Sequence, residues 1–189
     1  MNTVAADDKV WVKSDGDYTE TFAIDTVGTE GNPIVFKGYD SSIGDGGKVT
    51  VDATGLTDGL TDTVSGNLFY VFKNFKFTNA LSNGVNLDGD RAIFKNCEFN
   101  TNGLGGAAAG AVVGHGTMFE ACIFSGNTGD GIQADNQPVV LGCRFLSNTG
   151  DGVQANNGGA IIDCVFYNCG SRAINFGGGA NDWIYVVYG

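Results

Sequence analysis

Little in this chain is basic and less of it is rigid: 10 Lys and Arg stand against 21 Asp and Glu, and 2 prolines and 1 histidine are spread over 189 residues. The formal charge of −11 argues against nucleic acid as a partner, because a phosphate backbone would be repelled rather than gathered. No apolar run approaches the roughly 18 residues of a membrane span, so no membrane partner is expected. The opening "MNTVAADDKVWV" has neither a basic n-region nor an apolar h-region, so no signal peptide is read and the chain is expected to begin in the cytosol. It would be extracellular if it were a mature fragment. The five cysteines, Cys97, Cys122, Cys143, Cys164 and Cys169, are odd in number and lack CxxC spacing, which fits neither a disulfide framework nor a zinc site.

What is abundant is glycine, 31 residues, in a chain that is 42% hydrophobic. So much apolar content beside so little proline excludes a disordered or collagen-like chain, and the length suits one domain. Glycine then reads as punctuation between short strands. The heptapeptide "TGDGIQA", Thr128 to Ala134, returns as "TGDGVQA", Thr149 to Ala155, and it belongs to a longer repeat. "FKNFKFTN" from Phe72, "FKNCEFNTN" from Phe94, "FEACIFSGN" from Phe119, "VLGCRFLSN" from Val140 and "IIDCVFYN" from Ile161 share an apolar start, a Cys or Phe, a second Phe and a closing Asn. Between them lie "GVNLD", "GAVVG", "GIQAD", "GVQAN" and "RAINFG", with apolar residues two apart as half-buried strands require. A unit of 21 to 25 residues without helical periodicity is too short for a propeller blade and lacks the leucine-rich consensus. It matches one coil of a parallel β-solenoid.

The residues before the repeated Cys or Phe are Asn74, Asn96, Ala121, Gly142 and Asp163, and four of these types tolerate a left-handed corner. Such a corner turns the next side chain inward. Coils about 4.8 Å apart would stack Phe75, Cys97, Cys122, Cys143 and Cys164 in one interior column, with Phe77, Phe99, Phe124, Phe145 and Phe166 beside it. The cysteines are therefore expected as buried free thiols. Cys169 falls outside the column and is the one expected at the surface. Upstream, "KVWVKSDGDYTETFAID" and "NPIVFKGYDSSIGDGGKVTVDATG" read as strands between turn-rich corners, with Pro33 at a strand start.

With its opening "VWVKSDGDYTETFAID…GTEGNPIVFKGY" and its "NxC/NxF…N…GDGI" coils, the chain resembles right-handed parallel β-helix proteins of the pectate-lyase-like superfamily, of both the polysaccharide-lyase and the phage tailspike or virion type. The resemblance implies an all-β fold: a single right-handed parallel β-helix, a solenoid of about seven or eight coils. One domain, 1–189, is expected: irregular N-terminal coils over 1–66, regular 21–25-residue coils over 67–176, and an apolar C-terminal cap or association segment over 177–189. The last part includes "WIYVVYG", Trp183 to Gly189.

In this superfamily polysaccharide usually lies along the outside of the first parallel sheet, so the outward residues there matter. Coil alignment points Val85, Ala111, Ile132, Val153 and Ile174 inward and leaves Asn86, Val112, Gln133, Gln154 and Asn175 outward. Amides can bind sugar hydroxyls or a partner, yet they cannot be the acid, base or nucleophile of glycosidic cleavage. Asn86, Gln133, Gln154 and Asn175 are thus candidate carbohydrate- or partner-binding residues, the plainer expectation being an amide ladder bonded from coil to coil. Lyases of this fold combine acidic calcium ligands with an Arg or Lys base, and no such cluster shows on this face.

No catalytic set is assigned; the alternative set is Asp88, Asp90 and Arg91 in "DGDR", otherwise a polar turn. His115, in "VGHGT", resembles a polygalacturonase Gly-His-Gly element, but the Asn-Thr-Asp, paired-Asp and Arg-x-Lys elements that accompany it are missing. No cofactor is assigned. Asp130 and Asp151 occupy equivalent positions in adjacent coils and form the alternative metal pair, for calcium, although calcium wants six or more oxygens. The plainer expectation is that each carboxylate bonds N–H groups of its own turn.

These readings favour a non-catalytic structural or interaction protein, by analogy a phage virion component such as a fibre, spike or capsid-surface protein. It would self-associate, as a homotrimer if like its analogues, and contact other virion proteins. The alternative is a carbohydrate-active enzyme, a polysaccharide lyase or glycoside hydrolase, or a carbohydrate-binding module, acting on an extracellular polysaccharide.

Overall fold

The computed structural model describes residues 4–177 and the backbone of 184–187; the remainder of both expected end segments lies outside them. Twenty-one short strands, all paired in parallel, wind into a three-sided solenoid. The first side has eight strands, Lys9–Lys13, Ile34–Tyr39, Tyr70–Lys73, Ile93–Lys95, Met118–Glu120, Val139–Leu141, Gly159–Ile162 and Ile184–Val187. The second has six: Val49–Asp52, Phe75–Thr78, Glu98–Asn100, Ile123–Ser125, Arg144–Leu146 and Val165–Tyr167. The third has seven: Phe22–Ile24, Leu60–Asp62, Val85–Leu87, Ala111–Val113, Ile132–Asn136, Val153–Asn157 and Ile174–Phe176. Pro33 directly precedes a strand, where its missing N–H costs no ladder bond.

Strict register turns the sequence repeat into columns. Phe77, Phe99, Phe124, Phe145 and Phe166 are successive strand partners. Their rings stack at centroid separations of 5.7, 4.5, 4.9 and 4.7 Å, close to the strand spacing. On the first side Phe36, Phe72, Phe94 and Phe119 do the same. Each such ring buried from water contributes roughly 1.5–3 kcal/mol, so the aromatic columns are the main source of cohesion.

Each regular coil bends through left-handed corners. All five expected residues adopt positive φ: Asn74 at 62°, Asn96 at 52°, Ala121 at 53°, Gly142 at 58° and Asp163 at 52°. Ala121 does so without the polar side chain that usually eases the conformation, because the register of the neighbouring coils imposes it. The residue after each corner points inward, and Cys97, Cys122 and Cys143 are fully buried. Their thiols each donate to the carbonyl two residues back, at 3.4 Å. Burial pushes the Cys122 thiol well above its ordinary range. All five cysteines are free.

Two expectations need correction here. Cys169 is half-buried and packs against the core, as does Cys164, so it is not a surface thiol. The closing asparagines also divide into two groups. Asn79 and Asn168 occupy the second left-handed corner, equivalent to Thr101, Gly126 and Ser147. Asn102, Asn127 and Asn148 lie one position later and are buried in a continuous ladder. Ala80 and Cys169 hold the ladder position at its two ends, which is why Cys169 is tucked in. The Asn Nδ2 groups donate to Phe77 O, Phe99 O and Phe124 O, adding a second bond to carbonyls of the paired strands and tying each corner to the coil before it.

The twice-written heptapeptide now has a cause. A Cβ on Gly131 would lie 2.6 Å from both Gly152 O and a Phe145 ring carbon, and one on Gly152 2.5 Å from both Ala173 O and a Phe166 ring carbon. The second glycine of each "TGDG" therefore lets the chain cross the phenylalanine stack before entering the third side.

Candidate functional site

The outward face of the seven-stranded side is built by the expected alternation. Asn86 pairs with Val112, Val112 with Gln133, Gln133 with Gln154 and Gln154 with Asn175. Across this face runs a groove of ≈ 310 Å³, edged by Gln133, Gln154, Asn156, Asp88 and Asp135, with Val112 and Gly114 between them and the backbone of the inward-facing Val113 and Ala134 beneath. A side chain at Gly114 would meet Gly89 O at 2.5 Å and Asp90 Oδ1 at 2.6 Å, so the close approach of the two coils requires glycine there. Asp88 and Asp135 follow the partnered residues Leu87 and Ala134 with Gly114 between them. They stand two coils apart, about 9.6 Å at the strand spacing.

A second hollow of ≈ 300 Å³ lies on the other side of Gln133, lined by Ala107–Ala109, Thr128–Asp130, Thr149 and Gly150. Its wall is the loop 103–108, the extra residues of the 25-residue coil. The loop is pinned rather than loose. Gly103 N and Leu104 N donate to Ala80 O, Gly105 N donates to Leu81 O, and Thr128 Oγ1 donates to Gly103 O at 2.6 Å. Gln133 borders both hollows, which together form one track across the face.

The amide column does not bond to itself, contrary to expectation. Asn86 Nδ2 donates to Asp58 Oδ2 at 3.3 Å and Asn175 Nδ2 to Asp151 Oδ2 at 2.7 Å. Gln133 and Gln154 carry no side-chain hydrogen bond among the described residues, and Gln133 is exposed. Four candidates thus separate into two committed amides and two available ones.

Asp88, Asp90 and Arg91 do not converge. Asp90 Oδ1 accepts from His115 N at 2.8 Å, and Arg91 is exposed in a left-handed conformation, φ 63°, with its N–H donating to His115 O. His115 enters these contacts through its backbone. Only Asp88 of the three lines the groove. Asp130 and Asp151 also behave differently from expectation, since each accepts from the following coil rather than from its own turn. Asp130 Oδ1 accepts Asp151 N at 2.6 Å, and Asp151 Oδ1 accepts Arg172 N at 2.9 Å and Nε at 3.3 Å. The stacking of coils puts the next N–H closer to the carboxylate than any donor of its own turn. Burial raises the Asp130 carboxyl above its usual range, and the adjacent Asp151 charge adds to this. Among the described residues no group of three or more His, Cys, Asp or Glu side chains is placed to hold a metal ion.

Sequence reasoning missed two things. Asp88 and Asp135 share one groove; aligning the turns "DGDR", "GHGT" and "DNQP" singles out Asp135 as the acidic counterpart but not the hollow they line. The loop 103–108 is a wall, signalled by the one coil interval of 25 among intervals of 21.

Residues 54–186 match the family described as "Right handed beta helix region". Among solved structures, the pectate lyase Pel9A is similar at a TM-score of 0.53 and 18% identity, over 96% of this chain and 50% of that one. A pectin methylesterase from Aspergillus niger is similar at a TM-score of 0.46 and 13% identity, over 95% of this chain and 80% of that one. The chain therefore spans half the length of the pectate lyase. No curated protein matches in sequence.

Proposed function

The chain belongs to the right-handed β-helix family, and from that premise we propose that it binds a carbohydrate chain along the outer face of its seven-stranded side, as a binding module rather than a catalyst. The observation that carries this reading is the track through Gln133, where two glutamine amides without hydrogen-bond partners among the described residues stand beside carboxylates and Val112. Amide and carboxylate groups together offer both donors and acceptors, which is what a ring of sugar hydroxyls requires. The fold likeness to a pectate lyase agrees with a glycan ligand but supplies no residue.

Binding suits the geometry better than turnover. Hydrolysis needs one carboxyl held protonated and a second ionised, about 5–5.5 Å away in retaining enzymes and about 6.5–9.5 Å in inverting ones. Asp88 and Asp135 are the two carboxylates of the groove, their backbones about 9.6 Å apart and both side chains exposed, so nothing fixes them at either spacing. The virion fibre or spike reading draws on no residue of its own, and the groove is better used by a glycan.

Affinity electrophoresis against a panel of neutral and charged polysaccharides tests the proposal. Retardation by at least one of them, reduced about tenfold or more by Gln133→Ala together with Gln154→Ala, is the expected result. No retardation by any polysaccharide, with the protein folded, would remove it. Release of reducing ends or unsaturated products would replace the binding module with an enzyme.

A further inference from the structure

The track has one sign of charge. Its two hollows are lined by Asp88, Asp135 and Asp130, and by no Lys, Arg or His. Asp135 accepts Asn156 Nδ2 at 3.0 Å and Asp130 accepts Asp151 N, the Arg172 charge acting on Asp130 from a distance against the repulsion of Asp151. Asp88 has no side-chain partner among the described residues. The nearest ion pair, Arg172 with Asp151, is spent on a carboxylate that does not line either hollow. The molecule as a whole carries −11, so the long-range field has the same sign as the site.

Resting on the carbohydrate reading above, we infer that the track selects glycans carrying protonated amines, such as a β-1,4-linked glucosamine chain, and rejects uronate chains. A uronate chain would bring a carboxylate toward Asp88 and Asp135 at every turn of its repeat. Among the described residues no group of three or more His, Cys, Asp or Glu side chains is placed to hold a calcium ion that would offset this. An amine chain meets Asp88 and Asp135 constructively. Successive units of a β-1,4-linked chain are flipped, so amines along one edge recur every second sugar. A pyranose unit advances by about one strand spacing, so for a chain lying along the solenoid axis in the first hollow, rather than across the strands toward the second, that recurrence matches the two-coil separation of Asp88 and Asp135. The amides of Gln133 and Gln154 are left for the hydroxyls.

The experiment is calorimetric titration of the full chain, at a mildly acidic pH where the amines are protonated. The titrants are a glucosamine hexamer, its N-acetylated counterpart, and a galacturonate hexamer in EDTA and again in calcium. The glucosamine hexamer is expected to bind at least tenfold more tightly than the N-acetylated one, with no galacturonate binding in either buffer. Asp88→Asn with Asp135→Asn should erase that preference. Asp7→Asn with Asp17→Asn, which removes the same charge from exposed positions of the first coil, should keep it. Equal loss in both double variants would show bulk attraction of a polycation and overturn the inference. Binding of galacturonate, or of both glucosamine forms alike, would overturn the inference and leave the carbohydrate reading standing. If no hexamer binds the folded protein, this inference falls, and the polysaccharide panel alone decides the carbohydrate reading.

Discussion

Replacing Asn127 by alanine should be among the most damaging single polar changes in the molecule. Asn127 Oδ1 accepts Asn102 N at 3.0 Å and Asn102 Nδ2 at 3.1 Å, while its Nδ2 donates to Phe99 O at 3.0 Å and Asn148 Oδ1 at 2.9 Å. Two of the four partners retain another bond: Asn102 Nδ2 keeps Phe77 O, and Asn148 Oδ1 keeps Asn127 N. Of the other two, Phe99 O keeps its place in the ladder with the strand of Phe124, and only Asn102 N–H loses the bond its burial depends on. A buried polar group left unsatisfied costs about 1–3 kcal/mol, so the variant should lose about 1–3 kcal/mol from this group. The cavity left by the side chain adds to this. Asn156→Ala is the matched control, since it also removes a coil-to-coil amide bond, to Asp135 at 3.0 Å, but at an exposed site where water replaces the partner. It should cost less than about 1 kcal/mol. Urea unfolding followed by circular dichroism measures both. A loss at Asn127 below about 1 kcal/mol, or no larger than at Asn156, would refute the view that the buried asparagines hold the corner together.

Two further outcomes follow from burial. Asp130→Asn keeps the oxygen that accepts Asp151 N but removes a charge that burial disfavours. Because the folded carboxyl titrates above its unfolded value of about 3.9, the wild type loses stability as pH rises through that window. The variant should melt higher at neutral pH and unchanged near pH 3 by calorimetry, and an equal shift at both would show that charge is not the cause. With a thiol reagent, the folded protein should react slowly at Cys164 and Cys169 alone and the denatured protein at all five cysteines; fast labelling of Cys122 in the native state would contradict the buried column.

How far the fold could be read in advance depends on the repeat. Between Phe72 and Phe176 each coil writes the same inward residues at the same offsets, so aligning coils is equivalent to writing the strand register, and the phenylalanine and cysteine columns follow. The asparagine ladder shows the limit. Asn79 and Asn168 look like Asn102 in a pattern that tolerates one residue of slack, yet that one residue separates an exposed corner from a buried bond network. The site was legible as a list of outward residues and not as a shape. Asp88 and Asp135 belong to turns that read as ordinary polar loops, and only the absence of a side chain at Gly114 joins them across one groove.

From its amino acids alone, then, this chain determines a stack of coils with an aromatic core, because in a solenoid the period sets which residues are neighbours along the axis. The tertiary structure decides what lies across the axis. Which carboxylate reaches the next coil's N–H, which glutamine is left without a partner, and that loop 103–108 stands up as a wall all depend on how turns of unequal length settle against one another. Those lateral contacts have no period, so no repeat in the sequence encodes them.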